Sequence, residues 1–149
     1  MIVTGVLSLA LGVCMLPSAA VAEEEHEQGE GMKMEIPATT AAIWQAVKTH
    51  ETALGKIITE KELDKVHVFA FAIRDLVNAL PVKSADLPAD KLAKVKANAK
   101  YVADIAKRLD ESGDANDQAA TDANFKKLQG FLKAIEAQYP PEKLKASEK

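Results

Sequence analysis

The chain has one cysteine, Cys14, and it lies within an uncharged N-terminal stretch of 22 residues, MIVTGVLSLALGVCMLPSAAVA. If that stretch is removed, no thiol is left. That excludes a disulfide framework, a thiolate metal site and c-type haem attachment, which needs Cys-x-x-Cys-His. Aromatic residues make up 5% of the chain and there are seven glycines. No glycine-rich phosphate loop, Gly-x-Ser-x-Gly elbow or His-Glu-x-x-His pair occurs. Ser84, Ser112 and Ser147 fall in expected connections or the tail, with no histidine close by in sequence. An enzyme is therefore not expected. A net charge of -3 lacks the basic excess that nucleic-acid binding requires. A composition rich in Ala, Lys, Leu, Glu and Asp favours helix over sheet.

The uncharged stretch reads as a secretory signal: a short apolar run, helix-breaking Pro17, then small Ala20 and Ala22, with cleavage before Glu23. It departs from the usual pattern in having no Lys or Arg ahead of the apolar run. The run falls short of the ~20 apolar residues of a comfortable membrane span, so a periplasmic protein with no span after cleavage is expected. A lipoprotein would have Cys14 acylated, but Val13 stands where a small residue is wanted. Residues 23–36 form an acidic, glycine-broken leader with no apolar period, expected to be flexible. It holds His26 among carboxylates, either a solubilising segment or a weak binder of a divalent or copper ion.

The apolar periodicity predicts four helices over 37–141. The first starts near Pro37–Thr40, buries Ile43, Val47, His50 and Leu54, and stops at Gly55. The second opens on Thr59-x-x-Glu62 as a capping box, buries Leu63, Val66, Ala70, Ile73, Val77 and Leu80, and ends at Pro81. The third follows Asp86 or Leu87 with Pro88 near its first turn. It carries the heptad Leu92, Val95, Ala99, Val102, Ala106, Leu109 and ends at Ser112-Gly113. Asp114 caps the fourth, whose stripe runs from Ala120 to Tyr139 before Pro140-Pro141; residues 142–149 are a charged tail expected to fray. Short connections make neighbours antiparallel, which predicts an all-α, up-down-up-down four-helix bundle.

Bundle cores hold metals through side chains on facing helices. His50 occupies the inward stripe of the first helix and His67 flanks that of the second, each at a similar distance from the connecting turn. They are the candidate metal ligands, with His26 as an accessory. The competing expectation is that both are packed and satisfied by each other or by Tyr101, Asn98 or Glu51, because metal sites usually offer more ligands. A b-type haem held by the two histidines is a further alternative. So is an envelope interaction module with structural histidines, in which Val68 and Phe71 of the second helix form an exposed apolar patch.

Several stretches carry a likeness: Trp44-x-x-Val47-Lys48-x-His50, Val66-His67, Phe71-Ala72-Ile73-Arg74-Asp75-Leu76 to Leu80-Pro81, Leu87-Pro88-Ala89-Asp90, and Arg108-Leu109-Asp110-Glu111-Ser112-Gly113-Asp114 through to Asn124-Phe125. On these, residues 43–140 resemble small periplasmic helical-bundle proteins of bacteria that accompany heavy-metal efflux and have no assigned activity. The resemblance implies a metal-related setting, a metal-efflux component or another envelope protein as partner, and places His50 and His67 in the pattern. In shape the expected bundle is also similar to the soluble periplasmic b-type and c′-type cytochromes, without their haem ligands. Met32 and Met34 precede the first helix, the fourth has no histidine, and fold alone does not imply function.

Overall fold

The computed structural model describes residues 34–145. Over that range the chain is all-α: α1 (Thr40–Thr59), α2 (Val66–Lys83), α3 (Ala89–Asp114), α4 (Gln118–Glu136) and a one-turn α5 (Pro141–Leu144), with a 3₁₀ turn at Leu63–Lys65 before α2. Inter-helix bonds fix the directions. The Thr40 hydroxyl, at the start of α1, donates to the carbonyl of Lys83 at the end of α2 (2.8 Å). Gly113, at the end of α3, abuts Leu63 and Val66 at the start of α2. The Asn124 amide of α4 donates to the Arg108 carbonyl of α3 (3.1 Å), and Gln118 of α4 reaches the Ile58 carbonyl near the end of α1 (3.1 Å). Each helix thus runs against its neighbours, as the four-helix bundle expected from the periodicity requires. Among the described residues, no helix is long and apolar enough to cross a membrane.

The core is the predicted stripe. Ile43, Val47, Leu54, Val66, Ile73, Val77, Leu80, Val95, Val102, Leu109, Leu128, Leu132 and Ile135 are almost wholly buried, and the three-and-four spacing that puts them on one helical face supplies the main stabilising term. Phe71, expected in an exposed patch, is buried beneath the Arg74 guanidinium, 4.4 Å from its ring centroid. The large exposed apolar residues are instead Val82 and Tyr101.

The helix ends differ from the sequence expectation, for one physical reason. Gly55 does not end α1, and α3 runs one residue past Gly113, to Asp114. α1 continues to Thr59, and Lys61 takes the left-handed conformation (φ 61°) that reverses the chain. Amides of Lys61 and Glu62 close back on the carbonyls of Ile58 (3.1 Å) and Ile57 (2.9 Å). α3 ends the same way on Asn116 (φ 52°), whose amide and that of Asp117 bond to Gly113 and Ser112 (both 2.9 Å). These paired bonds satisfy carbonyls that a helix end leaves orphaned. The glycines serve packing instead: a Cβ on Gly55 would sit 3.1 Å from the Phe125 ring, and one on Gly113 only 2.7 Å from the Leu63 carbonyl oxygen.

Other boundaries move as a consequence. The Thr59–Glu62 capping box does not form, since Thr59 lies in α1 with its hydroxyl bonded to the Gly55 carbonyl (2.8 Å), and α2 starts at Val66. Pro81 sits inside the last turn of α2, which runs on to Lys83; so near a helix end, its missing amide forfeits a single bond. Pro88, expected near the first turn of α3, is its N-cap. Asp117, not Asp114, caps α4, its carboxylate accepting from the Ala120 amide (3.0 Å). Residues 142–144, expected to fray, belong to α5: Leu144 is buried and Lys143 pairs with Asp86. The signal, residues 23–33 of the leader, and residues 146–149 lie outside the described range.

Candidate metal centre

The close approach at Gly113 sets the geometry of the one potential ligand cluster found among the described residues. With no side chain at 113, the end of α3 lies directly against the 3₁₀ turn and the first residue of α2. Val66 points into the core, so His67, about 100° further round the helix, emerges on the flank facing α3. Asp110 and Asp114, four residues apart, share a face of α3. One ligand atom from each of His67, Asp110 and Asp114 lies within 4.8 Å of the other two.

This spacing suits a shared ion. A point equidistant from three atoms 4.8 Å apart lies about 2.8 Å from each, so side-chain shifts of about 0.7 Å reach the ~2.1 Å of zinc–nitrogen and zinc–oxygen bonds. The donors are one imidazole nitrogen and two carboxylate oxygens, a set that suits zinc and the neighbouring divalent ions. Copper(I) prefers thiolate or thioether sulfur, and no sulfur belongs to this cluster.

The electrostatics invite a cation. The carbonyl end of a helix carries partial negative charge and favours basic side chains. The last turn of α3 has none, and instead Asp110, Glu111 and Asp114 gather there. Like charges four residues apart on a helix repel. Partial burial, and then the neighbouring Asp114 charge, push the Asp110 carboxyl above its ordinary value, and His67 acts the other way. A divalent ion would relieve this repulsion.

The other two predicted ligands are placed elsewhere. His50 lies on Phe69 of α2, ring centroids 6.0 Å apart and tilted by 51°, and is no member of the cluster. Phe69 follows His67 by two residues, about 200° around the helix. The side of α2 that receives His50 is therefore the opposite flank from the one that presents His67 to α3. Among the described residues His67, expected beside His50, groups with Asp110 and Asp114, while His50 packs on Phe69. Burial lowers the His50 pKa from its ordinary value. His26 lies outside the described residues.

The side chains expected to satisfy the histidines have other partners. Glu51 pairs with Lys48 (2.7 Å) and accepts from Gln129 (3.3 Å). Asn98 donates to the Lys94 carbonyl (2.9 Å), and Tyr101 stacks on Phe131 at 5.1 Å. Asp110 and Asp114 were missed as ligands in the sequence. The available signal was a pair of carboxylates at four-residue spacing, at a helix end with no basic residue. No protein-family model, curated protein or solved structure matches the chain.

Proposed function

We propose that this is an exported, non-enzymatic helical-bundle protein that binds a divalent metal ion at His67, Asp110 and Asp114, in the metal-efflux setting that its resemblance implies. The observation that carries the reading is the convergence of one imidazole and two carboxylates from α2 and α3. The charge arrangement supports it, because three acidic residues crowd a helix end that favours cations. The bundle supplies two antiparallel helices as a fixed frame, and ligands carried on helices are held more precisely than ligands on loops.

The test is calorimetric titration of the whole protein with zinc and, separately, with cobalt(II), whose visible absorption reports its coordination. One ion binds per chain, and His67→Ala weakens that binding at least ~10-fold, in line with the loss of a ligand whose mere outer-shell support is worth that much. His50→Ala and His26→Ala leave the affinity unchanged. Equal affinity in wild type and His67→Ala refutes the site. Loss of binding in His26→Ala alone transfers the role to the leader.

A further inference from the structure

The three ligands share a second property: among the described residues, no other side chain braces them. In sites built to retain an ion, each histidine donates its second N–H to a carboxylate or carbonyl, ligating carboxylates are themselves hydrogen-bonded, and the site is closed to solvent. Here His67 and Asp114 are exposed and Asp110 is only partly covered. Among the described residues the ion pairs involve other side chains, and no side-chain hydrogen bond engages any of the three. With three protein ligands, two of them exposed, an ion held there keeps one open position if four-coordinate and three if six-coordinate.

From this exposure and lack of support we infer that the cluster is a hand-over site, which passes its ion to a partner bearing nitrogen and oxygen donors by associative ligand exchange. The inference rests on the metal-binding reading above. A donor atom of the partner enters an open position and displaces water, giving a mixed complex in which both molecules hold the ion. The bonds to Asp114, Asp110 and His67 then break one at a time, as further donors of the partner replace them. No electron is transferred, and the ion keeps its charge throughout. The fitting partner is a protein surface presenting imidazole and carboxylate groups, which match the donor set of this site and so make the exchange nearly balanced.

The experiment loads the whole protein with one equivalent of zinc and mixes it in stopped flow with excess 4-(2-pyridylazo)resorcinol, a chelating dye with nitrogen and oxygen donors. Associative exchange is bimolecular, so a ~10-fold rise in dye concentration gives ~10-fold faster transfer. A rate that does not change with dye concentration means that the ion leaves first and the dye captures it afterwards, and that result overturns the hand-over while leaving metal binding intact. Cobalt(II)-loaded protein titrated with imidazole provides the second measurement. A shifted visible spectrum with cobalt still retained by the protein on dialysis supports the mixed complex; cobalt lost without that intermediate spectrum overturns it. If the protein loads no ion that His67→Ala fails to load, the binding reading itself falls, and the two failures are told apart at the loading step.

Discussion

Replacing Gly113 with alanine tests how the site is positioned. Alanine in a helix interior is ordinarily favourable by ~0.8–1 kcal/mol over glycine. At 113 the new Cβ would lie 2.7 Å from the Leu63 carbonyl oxygen and 3.2 Å from the Val66 Cβ. Normal carbon contacts begin at about 3.5 Å, so the end of α3 must retreat from the start of α2 by several tenths of an ångström. The obstructing oxygen is backbone, so no rotamer change relieves the clash. Overpacking of this kind costs about 1–3 kcal/mol, and the hard contact puts it at the upper end. After the propensity gain, the net loss is ~1–2 kcal/mol, or a Tm about 4–8 °C lower for a domain of this size. The retreat also separates His67 from Asp110 and Asp114, so zinc affinity falls although no ligand is altered. Gly130→Ala is the matched control. Nothing lies within 4 Å of its added Cβ, and no described glycine has positive φ, so the ~0.8–1 kcal/mol is realised and Tm rises. Thermal melts by circular dichroism, together with zinc titrations, measure both. A Gly113→Ala protein as stable as Gly130→Ala would refute the close α2–α3 approach and, with it, the account of how the ligands are brought together.

Lys61→Gly should stabilise the protein by ~0.5–1 kcal/mol in chemical denaturation, because the left-handed φ of 61° costs a side-chain-bearing residue about 1 kcal/mol or more and costs glycine little. Asp110→Asn should raise Tm without metal, since removing one of two like charges four residues apart at a helix carbonyl end is worth ~0.5–1 kcal/mol. The same variant should lose the zinc-dependent rise in Tm that the wild type shows, which differential scanning fluorimetry would detect. His50 gives a pH dependence. Its folded-state pKa lies below the ordinary 6.5 because burial disfavours the charged ring, so the unfolded chain binds the extra proton first. Stability is complete above about pH 6.5 and declines as pH falls through the folded pKa; NMR should show the His50 midpoint below 6.5, and His50→Gln should flatten this part of the acid melt. Leu144→Ala should cost ~1–2 kcal/mol by undocking α5, at the low end for an apolar truncation because a single turn can rearrange; unchanged stability would return that segment to a frayed tail.

The fold was legible because its signal is periodic and redundant. Val66, Ile73, Val77 and Leu80 define the buried face of α2, and the analogous stripes on α1, α3 and α4 do the same, so shifting a boundary by several residues leaves the architecture unchanged. The helix ends were less legible because glycine has two uses that sequence alone does not distinguish. At 55 and 113 it permits close packing, whereas the left-handed positions fall to Lys61 and Asn116. Asparagine is a known substitute there; lysine gives no such signal, and its place is fixed by the pull of Leu63 and Val66 into the core.

The candidate site was only half legible, for a different reason. Periodicity fixes the angle of His67 relative to the buried stripe of α2, but each helix in a four-helix bundle has two flanks, one toward each neighbour. Which flank faces α1 and which faces α3 depends on the hand in which the bundle winds. Four helices with similar stripes and short connections satisfy the hydrophobic pattern in either hand. Wound the other way, His67 would turn toward α1 and the expected encounter with His50 would be reasonable. In the observed hand Phe69 takes that flank and receives His50, while His67 turns to the acidic end of α3. The α2–α3 and α1–α4 seams carry close contacts such as Gly113 on Leu63 and Gly55 on Phe125, which pair residues far apart in sequence and leave no periodic trace. The histidine could therefore be singled out from the sequence, but its carboxylate partners could not. Their identity follows from which two helices the glycines allow to approach.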